Sequence, residues 1–211
     1  MTDNQKNSLF CGICSTITII CCILQFTIKP RKNYSLEIYE SNLRLKYEQH
    51  RADLVDAIDF TIREAAPNTS MNAPEILNQC EKNDIDLFFV LAQGHVESHY
   101  GTKGLAQKTN SVFNVFAYDG KGYKDICKKG KYSHPDLSIE PYMHLLKNRY
   151  LVDGKTEMDL LENYVDKDGK RYASSKTYEL QLRNIYNSLK NNESLNNAYD
   201  QYMKYKILIG S

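Results

Sequence analysis

Residues 85–98, IDLFFVLAQGHVES, constrain the fold more than any other stretch of this chain. Leu87, Val90, Leu91 and Gly94 recur at helical spacing, Asp86 stands where a carboxylate can accept from the orphan N–H groups of a first turn, and Gly101 supplies the expected stop. A helix this apolar belongs in a core, yet its last turn carries one carboxylate, Glu97. Burial disfavours an ionised glutamate, and so does the negative end of the helix dipole. Both effects raise its pKa. A carboxylic acid still protonated near neutral pH suits the protonation of a poor leaving group such as a sugar oxygen. The bland alternative is a solvated glutamate on the outer face of an amphipathic helix, the commoner fate of this residue type.

With 211 residues, 42% of them hydrophobic and 25% charged, the chain holds one compact domain plus appendages. Its net charge of +1 gives no electrostatic reason to expect a nucleic-acid partner. No repeat of fixed period is present.

Phe10 to Ile28 is a charge-free, largely apolar run of 19 residues, about 28 Å as a helix, and reads as one membrane span following a short tail, residues 1–9. A cleaved signal peptide fits less well, because no small-x-small site precedes Lys29. Three basic residues follow the span and one precedes it, which favours keeping the C-terminal side in the cytoplasm. Cys11, Cys14, Cys21 and Cys22 lie within the run; Cys80 and Cys127 belong to the soluble part, either as a pair or as two free thiols. Residues 33–66 carry Leu36, Tyr39, Leu43, Tyr47, His50, Leu54, Ile58 and Ile62 at steps of three and four, an amphipathic helix expected to act as a stalk with partial docking.

Downstream, Asn72 and Glu75 resemble a capping box, and Asn83-Asp84 turns the chain into the Glu97 helix. Val112 to Tyr132 alternates β-branched or aromatic residues with turn sequences, which predicts a small β-hairpin or lobe. Ser138 and Thr156 are set to cap two further helices. Thr177–Leu189 predicts another, Asn191–Asn197 a polar linker, and Leu195 to Met203 a last amphipathic helix. Asp166 to Lys170 resembles the opening of a calcium loop, but its glycine comes too early and no glutamate closes it, so a turn is expected. His95 and His99 form an i, i+4 pair, but HVESH carries its glutamate one place late for a zinc motif and a third ligand is not evident. Neither a metal nor a cofactor is expected.

The string LAQGHVESHYGTKGLAQKTNSVFNV, Leu91 to Val115, resembles the LAQ-x-x-x-ES-x-x-GTS-x-LA-x-x-x-N-x-F pattern of bacterial and phage endo-β-N-acetylglucosaminidases, glycoside hydrolase family 73. SIEPYMHLLKNRY (Ser138–Tyr150) and RYASSKTYELQLRNIY (Arg171–Tyr186) resemble later segments of that family in the same order. The resemblance implies a mainly α, lysozyme-like helical domain with a small β-lobe over residues 67–190, with 191–211 as a helical extension. It implies cleavage of the β-1,4 bond after N-acetylglucosamine in peptidoglycan glycan strands, by an enzyme held at the cell envelope. It makes Glu97 the acid, Tyr172 the tyrosine supporting the transition state, and Tyr100, Asn110 and Phe113 the substrate-binding residues. Family members carry a second acidic residue in the β-region. No glutamate lies between Glu97 and Glu140, so Asp119 is the expected candidate, ahead of Asp125 and Asp136, with a turn role before Gly120 as its alternative. A 2-acetamido sugar can also provide its own nucleophile. Two other readings stand beside this one: a lytic transglycosylase or muramidase using the same glutamate, and a non-catalytic, membrane-anchored glycan-binding protein.

Overall fold

The computed structural model describes residues 34–116 and 128–210. The chain divides into two units, Met1–Asn42 and Leu43–Ser211. The described part of the first unit, residues 34–42, is helical with every side chain exposed. It opens the helix α1, Tyr34–Ala65. Further along, Leu54, Ile58 and Ile62 fall on one face at i, i+4 and i+8, and all three have no exposed surface. From Leu54 onward the expected stalk is therefore core.

The second helix, α2 (Ala73–Asn83), ends where Asp84 turns left-handed. The capping box expected at its start does not form. The Asn72 side chain and backbone N–H both donate to Asp136, and the Glu75 carboxylate instead accepts from Gln79 Nε2 at 2.8 Å. A carboxylate 64 residues away outcompetes the local partner. The Glu97 helix, α3 (Leu87–Ser98), is capped by Asp86, which accepts from Phe89 N at 2.7 Å as its sequence predicts. A short α4 (Ala106–Thr109) follows.

No strand forms among the described residues; the one β-bridge pairs Val165 with Arg171. The lobe expected over Val112–Tyr132 is thus absent from its described parts, and residues 117–127 lie outside them. Left-handed backbone at Asn114 and Phe116 interrupts the extended run, and Tyr132 N donates to Thr109 O at 2.7 Å, fastening that end to α4 instead of to a partner strand. Lys128–Gly130 is a 3-10 turn.

A second 3-10 turn, Pro135–Ser138, leads into α5 (Ile139–Leu145), which widens to a π turn at Leu146–Tyr150. Ser138 does not cap it; its hydroxyl donates to Pro135 O and accepts from Val112 N. α6 (Glu157–Glu162) has the Thr156–Asp159 capping box. The Asp166 turn closes on itself, with Oδ1 accepting from the N–H groups of Asp168 and Lys170, both at 2.9 Å. α7 (Tyr178–Lys190) packs along α3, the main helix pair of the molecule. Only Asn191 and Asn192 separate α7 from α8 (Glu193–Gly210), shorter than the linker expected, because Asn192 Oδ1 caps α8 at Leu195 N. Leu195 and Tyr202 bury α8 against the core.

Among the described residues no helix is long and apolar enough to cross a membrane. The apolar run Phe10–Ile28, read as a span, lies outside them, as does Cys127. Cys80 is a buried free thiol.

Candidate active site

The end of α3 is built to present Glu97. The helix stops at His99, two residues before the glycine expected to stop it. His99 and Tyr100 have φ of 52° and 54°, Gly101 follows at 84°, and Tyr100 N reaches back to Gly94 O at 2.9 Å. Left-handed backbone at two residues with side chains costs about 1 kcal/mol each. Burial of the Tyr100 ring, 1% exposed, offsets that strain. The ring fits because residue 94 has no side chain: a Cβ there would stand 3.3 Å from Tyr100 Cδ1. Next to Glu97, Ser98 is also buried. Its hydroxyl donates to Val112 O at 2.7 Å and accepts from Gly101 N at 2.8 Å. These two bonds draw residues 111–116 against the helix end and deliver Asn114 to the carboxylate.

Both carboxylate oxygens of Glu97 are held. Asn114 Nδ2 donates to Oε2 at 3.0 Å and to the Glu97 backbone oxygen at 2.9 Å. The Tyr178 hydroxyl, from the first turn of α7, donates to Oε1. Burial pushes the Glu97 carboxyl above the ordinary glutamate range, and the bonds from Tyr178 and Asn114 pull it only part of the way back. Burial also pushes Tyr142, Tyr164, Tyr172 and Tyr178 well above 10, so all four phenols stay protonated around the acid.

Glu97 is among the residues that line a groove of about 540 Å³ between the end of α3 and α7, with His95, His99, Lys103, Gln181 and Asn184. It is the one carboxylate in that lining. The His95 imidazole is pushed down to about 4 by burial, with His99 and Lys103 adding to the effect, so it is neutral at pH 7. The His95 and His99 rings lie 4.3 Å apart, and among the described residues no group of three His, Cys, Asp or Glu side chains could hold a metal.

The other expected site residues fall in several places. Tyr172 lies in the aromatic layer beside the acid, its ring stacked on Tyr164 at 4.5 Å and 5.6 Å from that of Tyr178. Its hydroxyl donates to Phe113 O at 3.0 Å, so the phenol that reaches Glu97 is Tyr178. Tyr100 and Phe113, each 1% exposed, do not line the groove in this structure. Phe113 stacks on Tyr142 at 3.9 Å. The Tyr100 and Phe113 rings fill the space beside Gly94, where burial outweighs any value as a sugar platform. Asn110 ends α4 in a left-handed turn and holds Tyr132 O at 2.9 Å. Asp119 lies outside the described residues. Asp136, weighed as a second carboxylate, is engaged by Asn72.

Sequence reasoning missed Asn114, Tyr178 and Gln93. Gln93 had a readable signal: a lone amide in an otherwise apolar helix must find polar partners. Tyr178 had a weaker one, its alignment with the resembling segment.

The model of a protein family described as mannosyl-glycoprotein endo-β-N-acetylglucosaminidase matches residues 73–191. That match covers more than half of the chain and includes Glu97, Asn114, Tyr172 and Tyr178. No curated protein matches. The matched region holds the half-buried, hydrogen-bonded Glu97 and every helix from α2 to α7: the chain belongs to the glucosaminidase family of glycoside hydrolases.

Proposed function

We propose that this protein is an endo-β-N-acetylglucosaminidase that hydrolyses the β-1,4 bond after N-acetylglucosamine in peptidoglycan, with Glu97 as the proton donor. The observation that carries this reading is the state of Glu97: half-buried beside a groove, gripped at both oxygens and raised in pKa by burial. Oε1 accepts from the Tyr178 hydroxyl and Oε2 from the Asn114 amide at 3.0 Å; an amide N–H is the weaker donor of the two, so the carboxyl's own proton is assigned to Oε2. From there it passes to the leaving glycosidic oxygen as the C1–O bond breaks. The Tyr178 O–H and Asn114 N–H then stabilise the carboxylate that remains.

The carbonyl oxygen of the sugar's own 2-acetamido group attacks C1, so a single carboxyl suffices for the first step. Water opens the resulting ring and returns its proton to Glu97, restoring the acid. Tyr172, half-buried beside Tyr178, is the group proposed to meet the reacting sugar. Were Asp119→Asn as damaging as Glu97→Gln, Asp119 would take the base's role in a two-carboxylate course. The run Phe10–Ile28 is proposed to hold the enzyme at the envelope.

Digestion of purified peptidoglycan followed by mass spectrometry of the fragments tests the bond assignment. N-acetylglucosamine reducing ends are expected. N-acetylmuramic acid reducing ends would make the enzyme a muramidase, and anhydro ends a transglycosylase. Binding without fragments would make it a glycan-binding protein.

A further inference from the structure

Gln93 sits one turn before Glu97 on the same face of α3 and has no exposed surface. A buried primary amide must satisfy one oxygen with two lone pairs and one nitrogen with two protons. The Gln93 Oε1 accepts from the Tyr142 hydroxyl at 2.6 Å and from the Tyr164 hydroxyl at 2.9 Å. Turning the amide over would take away the acceptor that both phenol protons reach in this structure and set two N–H groups against them. The amide is therefore held with Nε2 toward the third phenol, and donates to the Tyr178 oxygen at 3.3 Å. A hydroxyl that accepts from an amide must aim its own proton elsewhere, and the Tyr178 proton aims at Glu97 Oε1.

We propose that Gln93 is a positioning residue: by donating to Tyr178 it commits that hydroxyl to donate to Glu97 Oε1, and so leaves Oε2, which meets only the Asn114 amide, for the transferable proton. Tyr142 and Tyr164 lock the amide, the amide orients Tyr178, and Tyr178 selects the oxygen of the acid. The catalytic meaning of this chain rests on the glucosaminidase reading above; the chain of bonds itself does not.

The groups facing Glu97 are few. Tyr178 and Asn114 touch it, Tyr142, Tyr164 and Tyr172 lie in the aromatic layer around it, and His95, His99 and Lys103 line its groove. The phenols stay neutral over the range in which a carboxylic acid titrates, so the Glu97 midpoint reports how many donors reach it.

The test uses the full chain carrying ¹³C-labelled glutamate, with the Glu97 carboxyl resonance assigned by its loss in Glu97→Gln. The midpoint is measured in the parent, in Tyr178→Phe, in Gln93→Met and in the double variant, with thermal melts to check folding. Tyr178→Phe is expected to move the midpoint upward. Gln93→Met is expected to move it the same way, and the double variant no further than Tyr178→Phe alone. Tyr142→Phe combined with Tyr164→Phe, which unlocks the amide without removing it, serves if Gln93→Met does not fold, and an upward shift is again expected. An unmoved midpoint in Gln93→Met, or in the double phenylalanine variant, while Tyr178→Phe shifts, overturns the role of Gln93. An unmoved midpoint in Tyr178→Phe overturns the whole relay. The alkaline limb of the hydrolysis rate should follow the same order. Undiminished hydrolysis by Glu97→Gln would defeat the catalytic reading while leaving the titration to decide the Gln93 relay.

Discussion

Asn114 offers a perturbation whose two consequences can be separated. Its φ is 51°, and its Nδ2 donates to both the backbone oxygen and Oε2 of Glu97. Asn114→Ala removes both bonds and replaces a residue type that tolerates left-handed backbone with one that does not. The lost bond to the backbone oxygen is worth about 1 kcal/mol and the left-handed strain about 1 kcal/mol more. For a chain of this length the sum of about 2 kcal/mol lowers the melting temperature by about 4–8 °C. Asn114→Gly loses the same bonds without the strain, so about half that fall is expected. Thermal unfolding followed by circular dichroism measures the difference. The second consequence is shared: with one fewer donor, Glu97 holds its proton to higher pH, and the alkaline limb of hydrolysis moves upward in both variants. Equal melting temperatures for the alanine and glycine variants would refute the backbone argument. An unmoved limb would refute the hydrogen-bond argument.

Removing residues 1–67 takes away Leu54, Ile58 and Ile62, which have no exposed surface. At about 1.5–3 kcal/mol per side chain the loss is comparable to the whole stability of a typical domain, so a fragment from Asn68 is expected to lose cooperative unfolding while one from Leu43 keeps it. Ser98→Ala strands a buried carbonyl and an N–H, and urea denaturation is expected to show a loss of about 2–4 kcal/mol together with lower hydrolysis as Asn114 loosens. Glu97→Gln is expected to raise stability in a pH-dependent way. Burial lifts the Glu97 pKa in the folded state, so between the ordinary glutamate value and the raised one the folded chain binds more protons than the unfolded one, and stability falls as pH rises. Glu97→Gln escapes that fall; its melting temperature should gain on the parent across this window and show no such pH-dependent gain below it.

Local signals survived well in this chain. The Asp86 and Thr156 caps, the run of apolar residues in α3 and the acid at its end are all decided within one or two turns, and each is where its sequence placed it. What was not legible depends on partners far along the chain. The Tyr178 hydroxyl meets a carboxylate 81 residues away, and Asn72 gives up its capping role to a partner 64 residues away. Tyr100 and Phe113 show the same limit from the other side. Their positions beside the acid suggested a sugar platform, but the space left by Gly94 is apolar and closed, and the rings go there. The alternation over Val112–Tyr132 predicted strands; left-handed residues at Asn114 and Phe116 and the tether of Tyr132 to α4 set the described parts otherwise.

The proton on Glu97 is the centre of the account, and the rate of peptidoglycan hydrolysis by the parent chain and by Glu97→Gln, measured side by side as new reducing ends, tests it most directly. An amide of the same shape keeps the bond from Tyr178 but has no acidic proton to give, so a loss of about 10²–10⁴-fold is predicted. Equal rates, with both chains folded, would contradict it.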